Sequence, residues 1–188
     1  MRSEFHMPDY YDLDIRFWER DLESYAGSLG FRKICCFSPE GNGVEIKGRG
    51  QNDLNFKREG KLILFLSEDI ELLKRACRKD VGMLLFPRFL PDAGLIKTAA
   101  ENRKPFEIPI SMILNKKASD RAFMISKISF FLKMCNKYGA DFVLTSGASS
   151  KFLMKSPAEL VSLGQALGLS PDQAVKSVSM IPEYVLEG

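Results

Sequence analysis

Apolar residues in this chain form short continuous or alternating runs, separated by stretches where they recur every three or four positions. This is the pattern of strands alternating with amphipathic helices. The first strand is read at 10–16 (YYDLDIR), with a helix at 17–29 closed by Gly30. A second strand occupies 31–37. From 38 to 55, around Gly41, Gly43, Gly48 and Gly50, the helical period vanishes and a long loop is expected. The apolar run at 61–66 reads as a buried strand, and Ser67 offers an N-cap for a helix reaching about Arg78. A fourth strand at 81–86 stops at Pro87, a helix at 91–102 follows, and a fifth strand lies at 106–110. The longest helix is read at 119–138, with Phe123, Ile128, Phe131, Leu132 and Cys135 at helical spacing and Gly139 at its end.

The sixth strand, 142–145, leads into the small polar loop Ser146 to Ser150. Two capping boxes follow: Ser156-Pro157-Ala158-Glu159 and Ser170-Pro171-Asp172-Gln173 each place Ser at the N-cap, Pro next and Glu or Gln third, with Gly168 between them. Residues 175–181 offer a seventh strand, although their start reads as helical. The alternation implies an α/β fold with a mainly parallel sheet. Either an open doubly wound sheet or a small, irregular barrel of the TIM type would fit it.

With 188 residues, 45% of them apolar and 27% charged, the chain suits one domain with a core of its own. No run approaches the roughly 20 apolar residues of a membrane span, and the N-terminus lacks a signal peptide's apolar core, so a cytoplasmic location is expected. The only histidine is His6, within MRSEFHM. That peptide back-translates through an EcoRI site into an NdeI site, so residues 1–6 read as a cloning scar and 7–188 as the single domain. Without His6, mechanisms that need an imidazole drop out: the Ser-His-Asp triad, the Cys-His protease, the histidine-ligated zinc hydrolase and the paired-histidine ribonuclease. Cys35, Cys36, Cys77 and Cys135 show no C-x-x-C spacing and are read as buried, reduced thiols.

Three kinds of chemistry remain to be placed. Neither a Walker-type loop nor a dinucleotide fingerprint is present, and Ser146-Gly147 reads as an anion cradle or, equally well, as an ordinary tight turn. Among carboxylates, Asp12 and Asp14 share one face of the first strand, with Glu107 and Asp141 elsewhere, and Arg16 lies on the face of Asp14 as a ready partner. An internal ion pair or a solvated face is the expected reading there, and a catalytic metal site is not. Basic residues cluster after strands: Arg16, Arg88, Asn115-Lys116-Lys117, Lys151 and Lys155, with Lys47 and Arg49 in the glycine-rich stretch. Beside Ser, Gly, Phe89 and Phe152 they suit contacts along an RNA backbone, although solvated loops are commonly basic as well. Lys and Arg number 27 against 24 Asp and Glu, so the net charge of +3 does not by itself announce such a partner.

Several segments taken in order carry a resemblance: Tyr11-Asp-Leu-Asp14, Lys104-Pro-Phe-Glu-Ile-Pro-Ile110, Thr145-Ser-Gly-Ala148, Lys155-Ser-Pro157, Leu167-Gly-Leu-Ser170 and Gln173-Ala-Val-Lys176. The chain resembles the archaeal ribonuclease P protein component 3 family, counterpart of a subunit of eukaryotic RNase P and RNase MRP, most strongly over 102–179. The resemblance implies an irregular TIM-like barrel related to the polymerase and histidinol phosphatase superfamily, with six or seven strands. That superfamily's first strand carries an Asp-x-His-x-His-like metal motif. Here the matching residues are Asp12, Asp14 and Arg16, so no metal and no catalytic side chain are carried over. The implied role is accessory: the RNA component, with its own bound magnesium, removes the 5′ leader of precursor tRNA, and this protein with component 2 stabilises that RNA. RNA contacts implied are Arg88, Arg121, Lys151 and Lys155, followed by Arg16, Lys104, Ser146 and Lys176. A stand-alone metal-dependent phosphoesterase and a scaffold without RNA contact are the alternatives.

Overall fold

The computed structural model describes residues 8–187, so the reading of 1–6 as a cloning scar lies outside the described residues. Seven strands run in parallel: β1 (Tyr11–Ile15), β2 (Lys33–Cys36), β3 (Gly43–Lys47), β4 (Leu62–Leu66), β5 (Met83–Leu85), β6 (Phe106–Pro109) and β7 (Phe142–Thr145). The first two form one ladder and the last five another, in sequential order. Around them lie α1 (Leu22–Leu29), α2 (Ile70–Ala76), α3 (Ala93–Glu101), α4 (Ser111–Leu114), α5 (Ala118–Tyr138), α6 (Pro157–Ala166), α7 (Pro171–Lys176) and α8 (Met180–Glu187).

Two irregular joins turn the ladders into a barrel. Between β7 and β1 the backbone of Ile15 bridges Ala148, and the Arg16 N–H donates to the Ala148 carbonyl at 2.8 Å. At the other end of the same seam the strands are spaced by the turn after α7. Tyr11 N–H donates to the Val178 carbonyl at 2.9 Å and Leu144 N–H to that of Ser177 at 3.1 Å. Between β2 and β3 an asparagine side chain takes the place of a ladder. Asn42 Oδ1 accepts from Cys36 N–H at 2.8 Å, and Asn42 Nδ2 donates to the Ile34 carbonyl at 3.3 Å. A Cβ on Gly43 would lie 2.8 Å from both Cys35 Sγ and the Phe37 ring, so glycine is what lets β3 approach β2.

Parallel partners share a face, so the register puts Glu45, Leu64 and Met83 on one side of the sheet and Phe65, Leu84 and Phe106 on the other. The second set meets the helices. Phe131 of α5 packs edge-on against Phe106 and Phe89 at centroid distances of 5.0 and 5.7 Å. Each such buried ring contributes about 1.5–3 kcal/mol of transfer free energy. Phe89 reaches its place through a backbone φ of 45°, which turns the preceding Arg88 out to solvent.

The structure corrects the expected elements in three places. The glycine-rich stretch holds β3, because GVEIK alternates like a strand and its neighbouring glycines serve close packing. The 175–181 segment is no strand: the Ser170 capping box starts α7, and Val175, Val178 and Ile181 follow helical spacing into α8. Asp69, rather than Ser67, caps α2, accepting from Glu71 and Leu72 N–H, while Ser67 Oγ donates to the Gly48 carbonyl at 2.7 Å. Both Ser-Pro capping boxes form as read. Replacing Asn42 by alanine removes the side chain that joins β2 to β3. We expect a loss of about 1–2 kcal/mol of stability in urea unfolding at pH 7.

Candidate functional site

The two-residue period of β1 carries Asp12 and Asp14 to the same face, where both are buried. Glu107, opposite in face to Phe106, meets them from β6, and Glu45 arrives from β3. The sequence shows no acidic cluster, yet the barrel assembles one from residues up to 95 positions apart. Arg16 pairs with both Asp14 and Glu45 and lies 5.6 Å over the Phe37 ring, and Lys47 reaches Glu45 from the strand end at 3.5 Å. Thr145 Oγ1 donates to Glu107 Oε1 at 2.8 Å, and Asp12 Oδ1 accepts from Ser146 N–H at 3.1 Å and Asp14 N–H at 3.3 Å. Asp12 Oδ2 and Glu107 Oε2 have no hydrogen-bond partner among the described residues.

Burial dominates the protonation of these groups. It pushes Asp12 up to about 7 against the opposing pull of the Ser146 and Asp14 N–H bonds. It raises Glu107 well above the usual carboxylate range, reinforced by the charge of Asp14. Asp14 is also raised by burial, with Glu107 and Arg16 holding it down. Desolvation likewise raises the thiols of Cys35, Cys77 and Cys135, and all four cysteines are free and buried.

This donor set does not fit the metal ion of an Asp-x-His-x-His-like motif. Arg16 stands at the last motif position with its cation on the Asp14 carboxylate, and among the described residues no three His, Cys, Asp or Glu are placed to hold a metal. The Ser146-Gly147 turn is sealed as well. Ser146 is buried with its N–H committed to Asp12, and a Cβ on Gly147, whose φ is 59°, would lie 2.3 Å from Ser111 Oγ. It is a structural turn joining β7 to the turn after β6, with no room for an anion.

The other residues singled out in the sequence are dispersed. Arg88 is exposed and makes no ion pair among the described residues. Arg121 is exposed and donates to the Leu114 and Lys116 carbonyls at 3.0 Å each, closing the end of α4. Lys151 pairs with Asp21 at 2.5 Å and lies 4.7 Å over the Tyr25 ring, so it ties the β7 loop to α1. Lys155 is half-buried beside an open apolar groove lined by Leu114, Ala158 and Leu163. Lys104 donates to the Val81 carbonyl at 2.9 Å, at the start of β6, and Lys176 ends α7 beside the start of β1. Both therefore occupy the opposite end of the barrel from Arg88 and Arg121.

A group whose folded pKa is raised binds a proton on folding, so its contribution is full below the unfolded carboxyl pKa and is lost as pH rises through the folded value. For Asp12 that window runs from the ordinary aspartate value of 3.8 to about 7. Between pH 5 and 7 we expect chemical unfolding to show stability falling by up to about 1.4 kcal/mol per pH unit for this one proton. Asp12→Asn should flatten that slope. Gly147→Ala should cost about 2 kcal/mol or more by the same measurement, since both the left-handed backbone and the Ser111 contact oppose a side chain.

Sequence comparisons with known proteins point to one family. A family model described as RNase P subunit p30 matches residues 44–188. Ribonuclease P protein component 3 of Methanosarcina barkeri is 30% identical over 130 residues, covering 66% of this chain and 54% of that protein. The Methanosarcina mazei protein of the same name is 29% identical over 180 residues, covering 88% and 75%. The chain thus spans about half the length of the first of these relatives and three quarters of the second. A chain in a cryo-EM structure of archaeal ribonuclease P with mature tRNA superposes with a TM-score of 0.70 at 22% identity, over 98% of this chain and 83% of that one, which shows a shared fold. With the matched region spanning β3 through α8, the chain belongs to the RNase P subunit p30 family.

Proposed function

We propose that this protein is an RNA-binding subunit of ribonuclease P, acting in the removal of the 5′ leader from precursor tRNA without a catalytic side chain of its own. The family match over 44–188 carries this reading. The interior chemistry supports it. Asp12, Asp14 and Glu107 are the acids most able to do acid–base or metal work, and they are sealed inside the barrel at 1% exposure or less. In this reading their place is in the interior of the barrel, away from any substrate. In this reading the RNA component holds the magnesium and performs the cleavage. The protein adds cations that offset phosphate repulsion, so the RNA folds with less magnesium. Ribonuclease P RNA, precursor tRNA through the holoenzyme, and protein component 2 are the proposed partners, in the cytoplasm. No helix among the described residues is long and apolar enough to cross a membrane. Exposed apolar side chains on the β7–α6 connection, Phe152 at 90% and Leu153 at 45%, suit a protein neighbour such as component 2.

The test is precursor-tRNA cleavage at limiting magnesium by ribonuclease P RNA with component 2, with this chain added or omitted. RNA-dependent stimulation is the expected result, reduced a few-fold by Arg88→Glu. Cleavage by the protein without RNA, or no stimulation by a folded chain, would contradict the reading.

A further inference from the structure

The chain's positive charge is concentrated in one place. Residues 116–138, the approach to α5 and the helix itself, hold six Lys and Arg (Lys116, Lys117, Arg121, Lys127, Lys133, Lys137) and one acid, Asp120. This stretch of 23 residues carries +5 against +3 for the whole chain, so all the other residues together are net negative at −2. Neither the modest overall charge nor the reading of basic residues at strand ends brings this out.

Helical geometry sorts α5 into two faces. Ile128, Phe131, Leu132 and Cys135 are buried against the barrel. On the outward side Phe123, Phe130 and Lys137 recur at steps of seven, with the exposed Lys133 beside them and the half-buried Lys127 at the margin, forming a stripe about 21 Å long. Phe123 is 62% and Phe130 52% exposed, and Lys127 Nζ stands 4.7 Å over the Phe123 ring. None of Lys116, Lys117, Lys127, Lys133 and Lys137 has an ion-pair partner among the described residues, whereas Arg16, Lys74 and Lys151 all do. The stripe is thus cationic, aromatic and unneutralised.

We propose that the outer face of α5, entered from Lys116 and Lys117, is where this protein holds RNA, through phosphate contacts with the lysines and stacking on Phe123 and Phe130. The proposal rests on the reading of the chain as a ribonuclease P subunit and locates its RNA surface. Lysines interleaved with exposed rings along one line match a phosphate backbone and its bases. The charge density favours RNA over a protein, since a protein partner would need an almost wholly acidic face. Lys and Phe side chains offer no paired donor and acceptor to read a base edge bidentately, so binding here is weakly sequence-specific and strongly salt-dependent.

The test measures binding of the chain to ribonuclease P RNA across a salt series, with component 2 saturating throughout. Wild type is compared with Lys127→Gln/Lys137→Gln, with Phe123→Ala/Phe130→Ala, and with a control of equal charge change elsewhere, Lys33→Gln/Lys79→Gln. All positions are at least partly exposed, and circular dichroism confirms folding. The lysine pair should lower the slope of log K against log[salt] by about 1.4–1.8. The phenylalanine pair should weaken binding roughly tenfold or more, and the control should match wild type. If wild type binds and both α5 variants bind equally well, the proposal fails while the ribonuclease P reading stands. α5 variants that keep RNA affinity but lose component 2 in size-exclusion chromatography would mark the stripe as a protein interface and overturn the proposal. A folded wild type with no affinity for the RNA would overturn the proposal and the reading beneath it.

Discussion

A single guanidinium, that of Arg16, stands against the carboxyl groups of Asp14, Glu45 and Glu107 inside the barrel, and the architecture depends on how this charge is settled. An ionised carboxylate taken out of water costs several kcal/mol unless a counter-charge and hydrogen bonds compensate it. Arg16 cannot by itself compensate four acids: Lys47 shares Glu45 at 3.5 Å, and the rest falls to the raised proton affinity of Glu107 and Asp12 and to hydrogen bonds from Thr145 and the Ser146 backbone. Those donors sit at the end of β7, the strand that must meet β1 for the barrel to close. Closure and charge settlement are therefore one event: the Ser146-Gly147 turn both seals the seam and solvates Asp12. The same arrangement keeps Asp12, Asp14 and Glu107 out of contact with solvent.

Much of the fold was legible in the sequence because local signals were strong. The apolar runs ending at Leu66 and Phe86, the αL glycines Gly30 and Gly139, and the two Ser-Pro capping boxes each specify an element boundary through short-range chemistry. Where reading failed, the decisive contact was remote. Gly43 reads as a loop residue because nothing nearby reveals that its missing Cβ makes room for Cys35 and Phe37. The Val175–Ile181 segment contains β-branched residues, yet a helical nucleus four residues upstream and the space between β1 and β7 decide its conformation. The pairing of Asp14 with Arg16 was visible from strand periodicity alone, but the arrival of Glu107 and Glu45 required the barrel.

Charge on the outside follows a different logic. Individual basic residues chosen for their position after strands divide into two kinds. Arg16, Lys104 and Lys151 bind other parts of the protein itself, while Arg88 remains turned to solvent. The positive charge instead comes from a continuous helix whose buried side is apolar and whose outer side interleaves Lys with Phe123 and Phe130. A helix apolar on both sides hides this division from any single periodicity, which is why the stripe emerges only once the buried face is known. On the proposed reading, a barrel that is internally acidic and externally cationic along one helix would neutralise an RNA from outside.

Lysine acetylation footprinting of the assembled ribonucleoprotein, read by mass spectrometry against the free protein, tests this division of labour most directly. The account predicts that assembly with RNA protects Lys116, Lys117, Lys127, Lys133 and Lys137 and leaves Lys33 and Lys79 as reactive as before. Protection confined to Lys104 and Lys176 at the other end of the barrel, with the α5 lysines still reactive, would contradict it.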